Sequence, residues 1–293
     1  MTTFLSKYEQ LTELRATDPG AIKRAADTRT SAPLVPADGR LMIIACDHPA
    51  RGANGVGDRP LAMGNRSDLL DRLQTALSRP GVDGLLGSPD IIEDLLLLGA
   101  LEGKVVFGSM NRGGLQGAAF ELDDQFTGYD ARGIADMGLN GGKTLTRVAL
   151  DDPGTLNTLT GTAQAINELA ERGLAAMVEP FWSSRADGRV RNDLSPEAVI
   201  KSIGVCSALG RTTAHTWLKL PVVPEMVRVM NATTFPTLLL GGDPDGDPED
   251  TFASWRAALQ LPAVRGLVVG RTLLYPADDD VATAVDTAAA LVR

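Results

Sequence analysis

From Leu41 onward the chain alternates short apolar runs with amphipathic stretches. The runs are LMIIAC (41–46), VDGLLG (82–87), KVVFGSM (104–110), LNGGKTLTRV (139–148), AAMVEPF (175–181), TWLKLP (216–221), PTLLLGG (236–242) and VRGLVVGR (264–271). Apolar segments of this length, bounded by turn residues, read as strands buried on both faces. Helical periodicity fills the gaps: Asn65 to Ser78, IIEDLLLLGAL, a short piece near Ile134, Thr155 to Arg172, Pro196 to Leu209, Pro224 to Met230, Pro248 to Leu261 and Val281 to Val292. Crossover helices force successive strands to be parallel. Eight such units, with no Rossmann glycine fingerprint after the first strand, predict a closed (β/α)8 TIM barrel rather than an open doubly wound sheet. The barrel is assigned to 39–293. Residues 1–38 form a helical extension, because Leu5, Tyr8, Leu11 and Leu14 recur at helical spacing and the prolines of SAPLVPADG then stop the helix.

The 293-residue length fits one such domain, since α/β barrels run to ~250 residues. A net charge of −9 argues against a nucleic-acid surface, which needs a basic footprint, but leaves room for a locally basic pocket. The two cysteines, Cys46 and Cys206, make no disulfide framework. The sequence shows no signal-peptide run and no membrane-length apolar stretch, so the expected location is cytoplasmic. The two histidines, His48 and His215, are too few for a histidine-based zinc site, and neither a metal nor a cofactor is expected. Mg2+ held through carboxylates and a substrate phosphate stays open. The acidic run GGDPDGDPED lacks EF-hand spacing and reads as a loop entering a helix.

Barrel chemistry sits at the C-terminal strand ends. The polar residues expected there are Asp47 and His48 (first strand), Ser109, Asn111 and Arg112 (third), Asn140 and Lys143 (fourth), Glu179 (fifth), Lys219 (sixth), Gly241, Gly242 and Asp243 (seventh), and Gly270 and Arg271 (eighth). Lys219 stands between apolar neighbours in TWLKLPVVP. Burial or a neighbouring cation lowers a lysine pKa and supplies a neutral amine, which attacks a carbonyl to give an iminium. The competing reading is a lysine that snorkels to solvent. Lys143 on an alternate strand would help to depress Lys219. Glu179, held extended by Pro180 at the strand end, could shuttle protons or pair with Lys143. Asp47 could bind a substrate hydroxyl, act as acid/base, or cap the next loop. Gly241, Gly242, Gly270 and Arg271 suggest a phosphate site, against the alternative of simple tight turns. Weaker substrate-binding candidates are His48, Asn111, Arg112, Ser183 and Arg185. The arginines of FWSSRADGRVRNDL read either as a lid or as a solvated loop.

Over Leu41 to Val292 the pattern resembles the class I aldolase superfamily of tagatose-bisphosphate, archaeal-type fructose-bisphosphate and deoxyribose-phosphate aldolases. The resemblance rests on Asp47 in ACDHP, Lys143 in GGKTLTRV, Glu179 in VEPF and Lys219 in LKLPVV. It implies that Lys219 is the Schiff-base lysine and that Gly241, Gly242, Gly270 and Arg271 hold a phosphate. ACDHPARG and VVGRTLLYP are also similar to actinobacterial barrel proteins associated with myo-inositol catabolism. That likeness implies cleavage of 2-deoxy-5-keto-gluconate 6-phosphate to dihydroxyacetone phosphate and malonate semialdehyde. The expected partner is a phosphorylated small molecule, with no nucleic acid and no membrane, and the family habit implies a homo-oligomer. Two rivals share the pocket: a sugar-phosphate isomerase or epimerase, and a non-catalytic phosphosugar-binding barrel.

Overall fold

The computed structural model describes residues 6–242 and 248–293. Leu5 and the middle of the acidic GGDPDGDPED run, from Asp243 to Asp247, lie outside the described residues. Two helices, α1 (Lys7–Thr17) and α2 (Gly20–Thr28), precede β1 (Leu41–Cys46). The chain continues as α3 (Arg66–Ser78), β2 (Gly84–Gly87), α4 (Pro89–Leu97), β3 (Val105–Ser109), α5 (Ala131–Asp136), β4 (Gly141–Val148) and α6 (Gly154–Glu171). β5 (Ala175–Ala186), β6 (Arg189–Asp193), α7 (Pro196–Ser207), β7 (Thr216–Pro221) and α8 (Met226–Met230) follow. β8 (Thr237–Leu240), α9 (Pro248–Ala258), β9 (Val264–Val269), α10 (Arg271–Leu274) and α11 (Val281–Val292) complete it.

The neighbour order is β4-β3-β2-β1-β9-β8-β7-β5-β6, and β4 also pairs with β5, which closes the ring. Apart from β6, the strands pair in parallel, so the fold is the expected (β/α)8 TIM barrel. Side chains alternate across each strand, and the two faces bury different cores. Met42, Ile44, Cys46, Val106, Val178, Leu218 and Leu267 face the helices. Leu41, Ile43, Ala45, Val105, Phe107, Met177, Trp217 and Leu238 fill the barrel. Each strand is therefore apolar on both faces, which is why the runs look continuous in the sequence.

The lead-in segment has a specific task. Arg15 on α1 pairs with Glu93 at 3.0 Å and Asp94 at 2.8 Å on α4. Ser31 then bridges Lys104, just before β3. Ala32 and Leu34 pack against the interior barrel core from this N-terminal end. The extension thus plugs the floor of the barrel as well as lying outside it, and it holds two helices where one was expected.

Two further expectations need correcting. Pro180 does not end β5. The strand runs on to Ala186 and folds back antiparallel onto β6, so the supposed lid loop is a β-hairpin. Proline is tolerated because β5 pairs with β7 only through Ala176–Val178, and β6 joins only at Trp182, so at Pro180 that side of the strand has no ladder partner. Asn140 precedes β4 at the floor, where its amide donates to Ala32 O at 2.9 Å and its Oδ1 accepts from Val106 N–H at 2.8 Å.

Candidate active site

The inward parity of the barrel core, carried one step further along each strand, builds a polar cluster. Ala45 leads to Asp47, Phe107 to Ser109, Met177 to Glu179 and Trp217 to Lys219. On β4 the inward series is Lys143, Leu145 and Arg147. Lys219 Nζ lies 2.8 Å from Glu179 Oε1, and the other oxygen of that carboxylate pairs with Lys143 Nζ. Lys143 Nζ also stands 3.3 Å from Asp47 Oδ2. The same Asp47 oxygen accepts from Ser109 Oγ at 2.9 Å and is ion-paired with Arg112. Arg112 Nε donates to Ser109 Oγ at 3.0 Å. The result is one connected line: Lys219, Glu179, Lys143, Asp47, Arg112.

All five side chains are buried, and mutual pairing is what makes such burial tolerable. Burial lowers the Lys219 pKa below its usual range; Glu179 opposes this, while Arg112 and Arg271 add to it. Arg112 and Arg271 are thus cations that act on Lys219 beyond the Lys143 expected from the sequence, and the charge of Lys219 in turn lowers Lys143. Burial and then Arg112 push Lys143 well below its ordinary value, against the pull of Glu179. Burial would raise Glu179, but Lys143, Lys219 and Arg112 together hold it below the normal carboxylate range. Burial brings the Arg112 guanidinium down to about 10. Burial, followed by Arg271 and Lys219, keeps the His48 imidazole neutral.

Above this cluster opens a cavity of about 650 Å³, with Lys219, Glu179, Arg112 and His48 in its wall. Asp47 and Lys143, each 0% exposed, sit behind that wall. The structure therefore encloses Asp47 instead of setting it against a substrate hydroxyl. Gly241, Gly242, Gly270 and Arg271 line the cavity as a group. Gly242 has φ +71°, with open space where a Cβ would project. A Cβ on Gly270 would fall 2.2 Å from Ala45 O, so this backbone can approach β1 only as glycine.

Another part of the wall is supplied by Arg51, Gln116, Glu121, Arg147 and the hairpin residues Arg191 and Asn192. Arg147 is saturated by the loop after β3: Nε donates to Asp124 at 2.9 Å, Nη2 donates to Asp124 at 2.6 Å, and Nη2 also bonds Glu121 O. The sequence reading passed over Arg147, although its parity with Lys143 on β4 was a usable signal. Arg51 and Gln116 carried no such signal, because only loop geometry brings them here. Three weaker candidates fall elsewhere. Asn111 bonds the backbone of Leu145 through both amide atoms, at 2.6 and 2.7 Å. Ser183 Oγ donates to Asn192 within the hairpin at 2.8 Å, and Arg185 donates to Ala119 O at 2.9 Å. None of the three lines the cavity, because their partners are backbone or hairpin groups.

Among the described residues no group of three or more His, Cys, Asp or Glu side chains could hold a metal ion. No helix among them is long and apolar enough to cross a membrane.

A profile of the Cgl0159-like family matches residues 39–289. The crystal structure of Cgl0159 from Corynebacterium glutamicum (Brevibacterium flavum) is 56% identical, over 98% of this chain and 96% of that chain, with a TM-score of 0.96. A Schiff-base-forming fructose-1,6-bisphosphate aldolase superposes with a TM-score of 0.67 at 18% identity, covering 93% of this chain and 100% of that one. An archaeal fructose-1,6-bisphosphate aldolase, solved with its catalytic lysine covalently bound to a carbinolamine intermediate, gives 0.68 at 16% identity, over 92% and 99% of the two chains. At those identities the likeness is one of fold. No curated protein matches the sequence.

Proposed function

The chain belongs to the Cgl0159-like family, and from that premise we propose that it is a class I aldolase acting on a phosphorylated ketose or keto sugar acid through a Schiff base on Lys219. The observation that carries the reading is a buried amine with a lowered pKa, 2.8 Å from a carboxylate, on the wall of a polar cavity. A neutral amine there attacks the substrate ketone. Glu179, in contact with the same nitrogen, moves the protons of carbinolamine formation and dehydration. Lys143 lies behind Glu179 and fixes its charge and orientation. The iminium then draws the electrons of the adjacent C–C bond, and the enamine left on Lys219 is protonated and hydrolysed.

Gly241, Gly242, Gly270 and Arg271 hold the substrate phosphate in this reading. The glycines offer backbone N–H groups at close range, and the guanidinium adds charge-assisted hydrogen bonds. The finer substrate reading is 2-deoxy-5-keto-gluconate 6-phosphate, cleaved to dihydroxyacetone phosphate and malonate semialdehyde. A panel of phosphorylated ketoses and keto sugar acids, followed by product mass, tests both levels. Fragmentation that disappears in Lys219→Met is the expected result. Turnover without fragmentation would favour an isomerase, and thermal stabilisation without turnover would favour a binding barrel.

A further inference from the structure

The cleavage step needs a group that takes a proton from the substrate hydroxyl and returns one to the enamine carbon. Glu179 is committed to the nitrogen side, paired with both lysines. Asp47 is enclosed, and its Oδ2 is shared by Ser109, Lys143 and Arg112. His48 is different, because its ring lines the cavity. It comes within reach of the Gly270 backbone, since a Cβ on Gly270 would lie 3.3 Å from His48 Cε1. Its Nδ1 is buried without a hydrogen-bond partner, and so is Asp47 Oδ1. These two orphaned atoms, one able to donate and the other to accept, are 4.0 Å apart. Catalytic hydrogen bonds of this kind are often long before substrate binds. A proton on Nδ1, toward the carboxylate, leaves the lone pair on Nε2 for the substrate.

We propose that His48 is the catalytic acid–base residue of the carbon–carbon step, an assignment that rests on the Schiff-base reading of Lys219. Nε2 removes the proton of the hydroxyl on the carbon β to the iminium carbon. The O–H pair becomes the C=O of the departing aldehyde. The broken C–C bond supplies the enamine double bond, and the C=N pair moves to the Lys219 nitrogen. The imidazolium then returns the proton to the enamine carbon, and water hydrolyses the iminium so regenerated.

His48→Gln and His48→Asn separate the two steps. Each is expected to keep borohydride-trappable adduct on Lys219 while losing about 10²–10³-fold in cleavage rate, within the usual range for a lost general acid–base. Acylation of the unaltered protein with diethyl pyrocarbonate, with the modified histidine mapped by mass, makes the test independent of how the variants fold. Modification at His48 should stop cleavage and spare adduct formation. Cleavage within a few-fold of the parent in a folded variant or in protein acylated at His48, or loss of adduct and cleavage in equal measure, would overturn the role. Failure to trap any adduct in the unaltered protein would count against the Schiff base itself and remove the basis for the His48 role with it.

Discussion

Lys219 owes its chemistry to what surrounds it. Its amine is removed from water, one carboxylate touches it, and two arginines raise the cost of a positive charge there. The neutral fraction grows as pH rises through the lowered pKa, so the rising limb of kcat/KM should lie below the ordinary value near 10.5. Arg112→Gln removes one of those cations, and the limb should move to higher pH; an unmoved limb would mean that Arg112 does not act on Lys219. The same depression links to stability. Between the folded pKa and 10.5 the unfolded chain binds this proton more strongly, so the contribution of Lys219 to stability rises with pH across that window. Lys219, Lys143, Glu179 and Asp47 were legible as polar residues at strand ends. Their division into wall and backing was not, because it depends on which atoms of Asp47 are covered. Ser183 and Arg185 misled because alternation along a hairpin says nothing about which cavity it borders.

At the scale of elements, two devices hold the site. Arg147 ties β4 to the loop that carries Arg112, Gln116 and Glu121. Arg147→Met leaves Asp124 buried without its partner and should cost about 3–5 kcal/mol of stability. It should also raise KM more than it lowers kcat, as steady-state kinetics would show. Adding Asp124→Leu should recover part of the lost stability, since the uncompensated charge then disappears. The second device is the floor plug. Leu34→Asp sets a charge against the interior core and should cost about 2 kcal/mol, read as a melting temperature lower by several degrees. An unchanged melt would show that the extension does not close the barrel. The alternating elements were plain from their apolar runs and helical periods. The course of β5 was not, since a proline after Glu179 ordinarily signals a strand end, and only the lack of a β7 partner beyond Val178 permits it. The helix α2 escaped although its polar and apolar residues segregate by face, because it is short and its one buried side chain is the small Ala26.

The whole molecule is acidic, at −9, yet its cavity is not. Among the described residues lining it, Arg51, Arg112, Arg147, Arg191, Arg271 and Lys219 stand beside Glu121 and Glu179, with Asp47 behind Arg112 and Asp124 behind Arg147. Such a mouth gathers anionic substrates from solution. kcat/KM for a phosphorylated substrate should therefore fall as ionic strength rises, while kcat holds; equal insensitivity of both would deny the field a role. The proposed chemistry depends on a covalent bond between one barrel lysine and the substrate. The direct measurement is borohydride reduction in the presence of a phosphorylated ketose, followed by peptide mass mapping. The account predicts substrate-derived mass on the peptide carrying Lys219 and none in Lys219→Met. A turnover-competent preparation with no adduct, or with the adduct on Lys143, would contradict it.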